Sequence, residues 1–497
     1  MQANKFILDP DGFYHIRMAT LILKNGIIKN FPWLVFTNLP TSYTDHHFIY
    51  HLILSLFAIF LKPIVAVKIA TVFINTIFII IFYSFLKSQK IQYAWIYIII
   101  LLSSTPFAFR INLVKASSFS LIILFLILIS IFKKRYKTLF LLSFLYVWSY
   151  GGWPLSIVVS GAYLISSFLS QKMQNFSKDF FTIIKISEWK PLIITILGSV
   201  AGIIINPYFP ENILFYWVQI IQIAIVNYGS KVGVGMEWYG FNISELLRYS
   251  TEVVFLLLIG GLLFFGRIAI KKYKIISEEQ VKKILLFLIL SVFFFLLTLK
   301  SKRNSEYLFP FAVTFGALFI NYFWDKEVYL IIIKNLKSFF KKRFLYVLFI
   351  VYIISMFFVA FFLNSLRIKN YLEEDHPIDE YKKEMEVVMQ NSNSGDIVFH
   401  SDWDDWPIMF YHNQYNRYIV GLDATFMYKY SPNLYKKWKD ITWGDFIGDP
   451  YDIIKNDFNA KIIFIANSDK ENMDKYIKNN SHYELLYEGD ADIYKVK

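Results

Sequence analysis

Acidic residues, histidines and tryptophans form four short clusters in this chain, at residues 9–17, 45–47, 237–239 and 402–406. In the first cluster, Asp9 and Asp11 are separated only by Pro10, so in an extended segment both carboxylates can face one way. Such a pair can bind a divalent cation such as Mg²⁺ or Mn²⁺, or accept a proton from a substrate. The alternative is an ordinary helix start, where Asp caps the first turn and complements the helix dipole.

Histidine and arginine side chains accompany the first two acidic positions. His15 and Arg17 begin the helix that we predict after Asp11, and they could bind an anion. Asp45 and His46 adjoin at the start of a later helix, and this pairing suits a metal ion or a hydroxyl-bearing substrate. Helix capping with histidines at a membrane surface is the competing interpretation.

Three cations lie at the ends of apolar stretches, on the side where membrane helices usually carry few of them: Arg110, Lys115 and Arg303. A lipid-linked phosphate explains their placement, since arginine in particular matches the geometry of phosphate oxygens. Each of them could instead extend towards lipid headgroups.

Glu237 lies in a long loop between Gly235 and Gly240, and loops of this length in a compact protein are usually functional. We therefore regard Glu237 as a candidate second carboxylate, which would share a metal ion with Asp11. The alternative is an exposed charge beside an interfacial tryptophan.

The fourth cluster follows a predicted strand and contains Asp402, Trp403, Asp404 and Asp405. Ligands of α/β sheets commonly bind at the carboxyl ends of strands. An apolar indole face with carboxylates beside it can hold a sugar or an amide. We expect this segment to contact an acceptor substrate; a solvated acidic turn is the other possibility.

The composition indicates that lipid surrounds much of the chain. Of the 497 residues, 56% are hydrophobic and 18% are charged, whereas soluble proteins are about 25% charged. The net charge of +13 lies largely in loops at helix ends, where membrane lipids account for it, so we expect no nucleic-acid partner. The chain has no cysteine, which excludes disulfides and thiolate chemistry.

Apolar runs of suitable length predict a polytopic α-helical membrane protein of about ten spans. The predicted spans are 65–86, 92–108, 117–132, 138–150, 154–170, 191–206, 251–270, 283–299, 305–323 and 344–364. Two further segments, 46–62 and 211–227, are interpreted as helices lying at the membrane surface. With that choice the Lys- and Arg-rich loops share one side, and all four clusters lie on the other, extracytoplasmic side.

This topology divides the chain into three parts. Residues 1–64 form the first external loop with its surface helix, and we expect either a short translocated tail or a further helix upstream. Residues 65–364 form the multi-span domain. Residues 365–497 predict a small extracytoplasmic α/β domain, with a helix at 378–390, strands near 396–399, 418–420 and 461–465, and a hairpin over 483–496.

The order of these parts resembles the lipid-dependent GT-C class of membrane glycosyltransferases, most closely the catalytic subunit of oligosaccharyltransferase and its bacterial and archaeal relatives. The first loop of that family reads roughly Asp-Pro-Tyr-Tyr-His-x-Arg, and residues 11–17 here read Asp-Gly-Phe-Tyr-His-Ile-Arg. The resemblance implies that Asp11 is the catalytic or metal-binding carboxylate, that Glu237 is the loop glutamate and that Arg303 is the late arginine. The acceptor motif of the family is echoed by residues 403–406.

One departure from the family bears on the reaction. Its second external loop carries an acidic pair, whereas residues 110–118 of this chain contain no carboxylate. A cation such as Lys115 could replace the metal's role towards phosphate. The resemblance therefore implies the class of enzyme rather than protein N-glycosylation itself.

We therefore expect a glycosyltransferase in a bacterial or archaeal plasma membrane, which moves a sugar or oligosaccharide from a polyprenyl phosphate or pyrophosphate to an extracytoplasmic acceptor. Asp11, with Asp9, would act as the base or bind the metal ion. A transporter or flippase of a lipid-linked or small polar solute is the main alternative, although such proteins usually place ionisable groups in mid-membrane. A degenerate, non-catalytic relative is the third.

Overall fold

The computed structural model of the protein describes residues 2, 5–174, 186–226, 228–229, 231–251 and 277–323, positions 253, 254, 256–258, 260 and 261, isolated positions between 347 and 370, and residues 376–497. Most of the described chain is helical, and a small sheet lies near its C-terminus. This outline confirms the helical architecture and the C-terminal α/β domain expected from the sequence.

After a short strand β1 (Phe6–Ile7), the first part of the chain is a succession of helices. They are α1 (Asp11–Asn25), α2 (Leu39–Ser42), α3 (Phe48–Ala58), α4 (Pro63–Ser88), α5 (Ala94–Ser103), α6 (Thr105–Asn112), α7 (Ser117–Phe132), α8 (Tyr136–Ser149), α9 (Leu155–Gln174), α10 (Ile186–Ile204) and α11 (Glu211–Tyr216). A π-helical stretch, Trp217–Val226, extends α11. Later come α12 (Ile243–Tyr249), α13 (Glu278–Lys300) and α14 (Ser305–Phe323).

Two of the described helices, α4 and α13, are long and apolar enough to cross a bilayer. Helix α4 begins at Pro63, which is well tolerated in a first turn, and α13 begins with a capping box between Ser277 and Gln280. The expected number of about ten spans is not confirmed. The predicted spans 251–270 and 344–364 lie mostly outside the described residues.

The predicted span 92–108 is not one straight helix. Helices α5 and α6 meet there at an angle of 83°, and they count as a third candidate span only if the bent pair is one crossing. The break falls at Ser104, whose backbone is extended, and Pro106 lies in the first turn of α6. Proline cannot donate a backbone hydrogen bond and its ring clashes with a preceding helical turn, so the helix restarts here.

The segments interpreted as surface helices are short in the structure. Helix α3 has 11 residues, and α11 has six before its π-helical extension. A helix of 11 residues is about 16 Å long, roughly half the thickness of the hydrocarbon core. These lengths agree with helices that do not cross the membrane.

The C-terminal domain contains a five-stranded sheet with the strand order β4-β3-β5-β7-β6. Its elements are β2 (His376–Pro377), α15 (Lys382–Gln390), β3 (Ile397–His400), α16 (Trp406–His412), β4 (Arg417–Tyr418), α17 (Ala424–Tyr430), α18 (Pro432–Thr442), β5 (Ala460–Ala466), α19 (Lys470–Ile477), β6 (Tyr483–Tyr487) and β7 (Ala491–Val496). Strand β3 is parallel to β4 and β5, and β7 is antiparallel to β5 and β6. The predicted strands and final hairpin are confirmed; the predicted helix 378–390 begins later, at Lys382, because Tyr381 is left-handed with φ 56°.

The beginning of the chain packs directly on this C-terminal domain. Strand β1 pairs with β2, where Phe6 faces Pro377 and Ile7 faces His376. Helix α1 lies against α16, and the Trp33 indole donates a hydrogen bond to the carbonyl of Gln414 at 3.1 Å. The first acidic cluster and the Trp-Asp segment are therefore held on the same side of the molecule, although about 390 residues separate them.

Candidate active site

A cavity of about 530 Å³ lies where the start of α1, the loop before α7, the 236–238 turn and the C-terminal domain meet. It is lined by ten of the residues that the sequence singled out, namely Asp9, Asp11, His15, His46, Arg110, Lys115, Glu237, Arg303, Trp403 and Asp404. The other four candidate residues, Arg17, Asp45, Asp402 and Asp405, do not line it. The cavity thus gathers side chains from segments that are far apart in the sequence.

The first two carboxylates stand at the start of α1. The N-cap position of α1 is Pro10, and Oδ1 of Asp9 accepts a hydrogen bond from the backbone N–H of Asp11 at 3.0 Å. Its other oxygen is used differently, because Oδ2 contacts Lys115. Asp9 also has φ 87°, a left-handed conformation that costs energy for a residue with a side chain.

Gly12 packs between Ile7 and Val114, the residue before Lys115. A Cβ atom at this glycine would lie 2.5 Å from Cγ2 of Ile7 and 3.4 Å from Cβ of Val114. A larger residue at position 12 would require the Ile7 side chain to move, whereas Val114 lies at ordinary contact distance.

Lys115 is the centre of the charged side of the cavity. Its Nζ lies 2.8 Å from Oδ2 of Asp9, 2.8 Å from Oδ2 of Asp11 and 3.4 Å from Oε2 of Glu237. Burial alone would lower the pKa of Lys115, but the three carboxylates raise it, so the ammonium is charged. Burial, together with Asp11 and Glu237, raises the pKa of Asp9 to about 6 despite its contact with Lys115.

Glu237 is paired with cations through both of its oxygens. Arg110 Nη1 lies 2.6 Å from Oε2, and Arg303 Nε lies 3.3 Å from Oε1. Burial would raise the pKa of Glu237, but Arg303, Lys115 and Arg110 hold it well below its usual range. Arg110 also contacts Glu306 at 3.1 Å, and it is therefore fixed between two carboxylates.

The C-terminal end of α13 holds the loop of Glu237 in place. Ser301 Oγ donates to the carbonyl of Glu237 at 2.9 Å, and the N–H of Lys302 donates to the carbonyl of Tyr239 at 2.8 Å. A Cβ atom at Gly240 would clash with the carbonyl of Leu299. The close backbone approach at Gly240 therefore helps to hold the loop of Glu237 against the end of α13.

The carboxylates of this cavity do not form a suitable set of ligands for Mg²⁺ or Mn²⁺. Asp11 and Glu237 do converge, but they converge on the ammonium of Lys115, and Glu237 is neutralised further by two guanidinium groups. A divalent ion between them would lie beside three fixed positive charges. Lys115 thus provides the positive charge that we had expected from a metal ion at Asp11 and Glu237.

His47, which belongs to the second cluster, and His51, which the sequence did not single out, support His15. Asp45 is buried outside the cavity and contacts Nδ1 of His51 at 2.7 Å, and Nε2 of His51 lies 2.7 Å from Nδ1 of His15. His47 also lines the cavity. A spacing of four residues places His47 and His51 one turn apart at the start of α3, and this spacing was the signal in the sequence.

Arg17, Asp402 and Asp405 do not line this cavity. Arg17 donates a hydrogen bond to the carbonyl of Tyr411 and lies over the Tyr411 ring, so it joins α1 to α16. On a helix, residues two apart point in nearly opposite directions, and for this reason His15 faces the cavity and Arg17 does not. Asp405 accepts from the Tyr381 hydroxyl at 3.0 Å, and burial raises its pKa well above the usual value.

Trp403 and Asp404 lie at the border between this cavity and a neighbouring one of about 570 Å³. The second cavity also contains Asp402, together with Trp438, Trp443 and Asp469 from the C-terminal domain. Its walls therefore combine indole rings with carboxylates. This combination suits a polar acceptor with an apolar face.

Comparison of the chain with models of known protein families found no match. A comparison with curated proteins found no match either.

Proposed function

We propose that this protein is a membrane glycosyltransferase of the GT-C type, which transfers a sugar or oligosaccharide from a polyprenyl phosphate or pyrophosphate to an acceptor. One observation supports the proposal above all others. Asp11, Lys115, Glu237, Arg303 and Trp403 come from distant segments and line one cavity. Carboxylates, fixed cations and an indole are the groups that this reaction needs.

In the proposed reaction, an acceptor hydroxyl or amide attacks the anomeric carbon of the donor sugar. The bond between that carbon and the phosphate oxygen breaks, and its electron pair leaves with the phosphate. The acceptor proton passes to Asp11, which acts as general base. The ion pair with Lys115 involves Oδ2 of Asp11, and 31% of the Asp11 side chain remains exposed for a substrate.

The cations of the cavity would stabilise the departing phosphate. Arg303 is held over the Trp238 ring, with Cζ 4.5 Å from the ring centroid, and its guanidinium contacts only one oxygen of Glu237. Lys302, which the sequence did not single out, also lines the cavity. Positive groups fixed before the reaction stabilise developing negative charge without reorganisation. No step requires a metal ion between Asp11 and Glu237.

The second cavity would receive the acceptor, so that Trp403 and Asp404 lie between acceptor and donor. Asp402 belongs to that cavity and would contact the acceptor there. His15 and His46 line the first cavity and would contact the donor. Asp45 would act indirectly, because it holds His51, which in turn contacts His15.

In the membrane, the proposal retains about ten spans and an extracytoplasmic active site in a bacterial or archaeal plasma membrane. The loops and helix ends that carry Asp11, Lys115, Glu237 and Arg303 are consistent with a site at the membrane face. A transporter would be expected to hold its ionisable groups in the middle of its spans. Several carboxylates line the cavity, which also speaks against a degenerate relative.

The proposal is tested with the full chain in liposomes and two donor probes, a polyprenyl-phosphate hexose and a polyprenyl-pyrophosphate hexose, each labelled in the sugar. Without an added acceptor, water attacks in its place, so we expect the wild type to release free labelled sugar from one of them, and Asp11→Asn to lose about 10²- to 10⁴-fold of that rate, as for removal of a general base. Asp405→Asn is the matched control, because it makes the same change of atoms outside the cavity. Equal rates for Asp11→Asn and the wild type would rule out Asp11 as the base, and no release with either donor would reject the glycosyltransferase.

A further inference from the structure

Three histidines beside the charged cluster present nitrogen atoms to one another. One ring nitrogen from each of His15, His47 and His51 lies within 4.8 Å of the other two. His15 and His51 are buried, and His15 and His47 line the large cavity. We infer that His15, His47 and His51 form a binding site for one divalent transition-metal ion of the zinc type, at the edge of the cavity.

Imidazole nitrogens are ligands preferred by zinc, copper, nickel and iron, whereas Mg²⁺ and Mn²⁺ prefer oxygen. Three protein ligands leave the fourth tetrahedral position to water or to a substrate. Because two of the three rings line the cavity, that fourth position would open towards it. The ligand set therefore selects a different ion from the one that the sequence suggested for Asp11 and Glu237.

Asp45 orients the site from outside. The carboxylate of Asp45 accepts a hydrogen bond from Nδ1 of His51 at 2.7 Å, which leaves Nε2 of His51 with a lone pair directed towards His15. Metal-binding histidines usually donate their second N–H to a carboxylate or carbonyl in this way. The Asp45–His51 pair is buried, so its geometry is fixed before an ion arrives.

The remaining nitrogens are compatible with coordination. In this structure, Nδ1 of His15 donates to Nε2 of His51. If the proton on Nδ1 of His15 moves to Nε2 of the same ring, Nδ1 is free to bind a metal ion. Nδ1 of His47 is buried without a hydrogen-bond partner among the described residues.

The charge environment distinguishes this cluster from the acidic one. Asp9, Asp11 and Glu237 are already neutralised by Lys115 and two arginines. The histidine trio instead has a buried carboxylate, Asp45, on its outer side. That carboxylate offsets part of the charge of a bound ion.

The test measures metal content, so it does not depend on the proposed reaction. The full chain is purified in detergent without chelator, incubated with ZnSO₄, desalted and analysed by elemental mass spectrometry. We expect about one zinc per chain for the wild type, and a several-fold lower content for His47→Ala and His51→Ala. His412→Ala, a histidine of α16 outside the trio, is the control and should keep the zinc.

Two further measurements separate loss of the site from loss of the fold. Cobalt bound to the wild type should give the visible absorption of a tetrahedral nitrogen site, and His47→Ala should lack it while it elutes normally on gel filtration. Zinc, and not magnesium, should raise the melting temperature of the wild type.

Asp45→Asn should weaken zinc binding by about 10- to 100-fold. Equal zinc in the wild type and in His47→Ala would overturn the inference and leave the trio as a hydrogen-bonded chain.

Discussion

Two walls of the main cavity are built in different ways. The ion-paired wall consists of Asp9, Asp11, Lys115, Glu237 and Arg303, and all five line the cavity. A second wall comes from the Trp-Asp segment, residues 402–406, of which only Trp403 and Asp404 line the cavity. The first set comes from separate segments, whereas the second is a continuous stretch of sequence.

The difference follows from local backbone geometry. Residues of the ion-paired wall lie in loops or at helix ends, so the backbone can direct each side chain separately. Residues 402–405 lie in the turn before α16, which begins at Trp406, and the side chains of this turn point in different directions. Its members are therefore distributed among two cavities, a hydrogen bond to Tyr381 and the core. Clusters in sequence are poor guides to clusters in space where a helix begins.

The largest effect that separates the two walls is expected for Lys115→Met. The substitution leaves Asp9, Asp11 and Glu237 close together without their shared ammonium. Removing one partner of a buried ion pair costs about 3–5 kcal/mol, and we expect a loss of at least 10²-fold in transfer rate with a lower melting temperature. Lys115→Arg, which keeps the charge, should retain more of both. Wild-type rate and melting temperature in Lys115→Met would show that the ammonium is dispensable.

A second comparison lies within the Trp-Asp segment. Trp406 is fully buried and stacks on Phe410 with ring centroids 4.7 Å apart, so Trp406→Ala should lower the free energy of unfolding by about 3–5 kcal/mol. Trp403 is only partly buried at the border of the two cavities, so Trp403→Ala should leave the melting temperature nearly unchanged and raise the acceptor KM by about tenfold. Thermal melts and acceptor titrations distinguish the two tryptophans; identical behaviour would contradict the division.

The sequence was sufficient for features that depend on local pattern. Long apolar runs identified α4 and α13, and short apolar runs between turn residues identified β3, β5 and the final hairpin. The break before Pro106 was not predicted within the span 92–108, although the proline marks it, and its angle depends on what α5 and α6 pack against. Hence the local sequence predicts the positions of helices and strands better than it predicts the angles between them.

The sequence predicted site residues correctly only where the direction in which a side chain leaves its helix did not decide whether it lines the cavity. His51 was missed although it follows His47 by one helical turn, and Arg17 was included although it lies on the side of α1 opposite His15. The pairing of Asp11 and Glu237 through Lys115 depends on close packing at Gly12 and Gly240. No pattern within either segment alone contains that information, because Val114, which packs on Gly12, and the Leu299 backbone, which packs on Gly240, are distant in sequence.

A smaller effect is expected from pH at the ion-paired wall. The pKa of Asp9 is raised to about 6, so Asp9 is ionised and paired with Lys115 above that value. As the pH falls through about 6, Asp9 takes up a proton and loses its ion pair with the Lys115 ammonium. The transfer rate should then fall by up to about tenfold per pH unit. The Asp9→Asn enzyme should have a lower rate without this titration. If the fall in transfer rate near pH 6 persists in Asp9→Asn, a group other than Asp9 causes it.

The smallest effect is expected for Asp405→Asn, which repeats the Asp11→Asn change on the other wall. Burial raises the pKa of Asp405 well above the usual value, so its carboxyl is largely protonated in the folded protein and an amide replaces it closely. A group whose folded pKa is raised destabilises the fold as the pH rises towards that pKa, because only the unfolded chain releases the proton freely. Asp405→Asn should therefore change the transfer rate by less than about twofold, and its melting temperature relative to the wild type should increase from pH 5 to pH 8. A large loss of rate in this variant would mean that the Trp-Asp segment acts as a unit, and that the two walls are more alike than their contacts indicate.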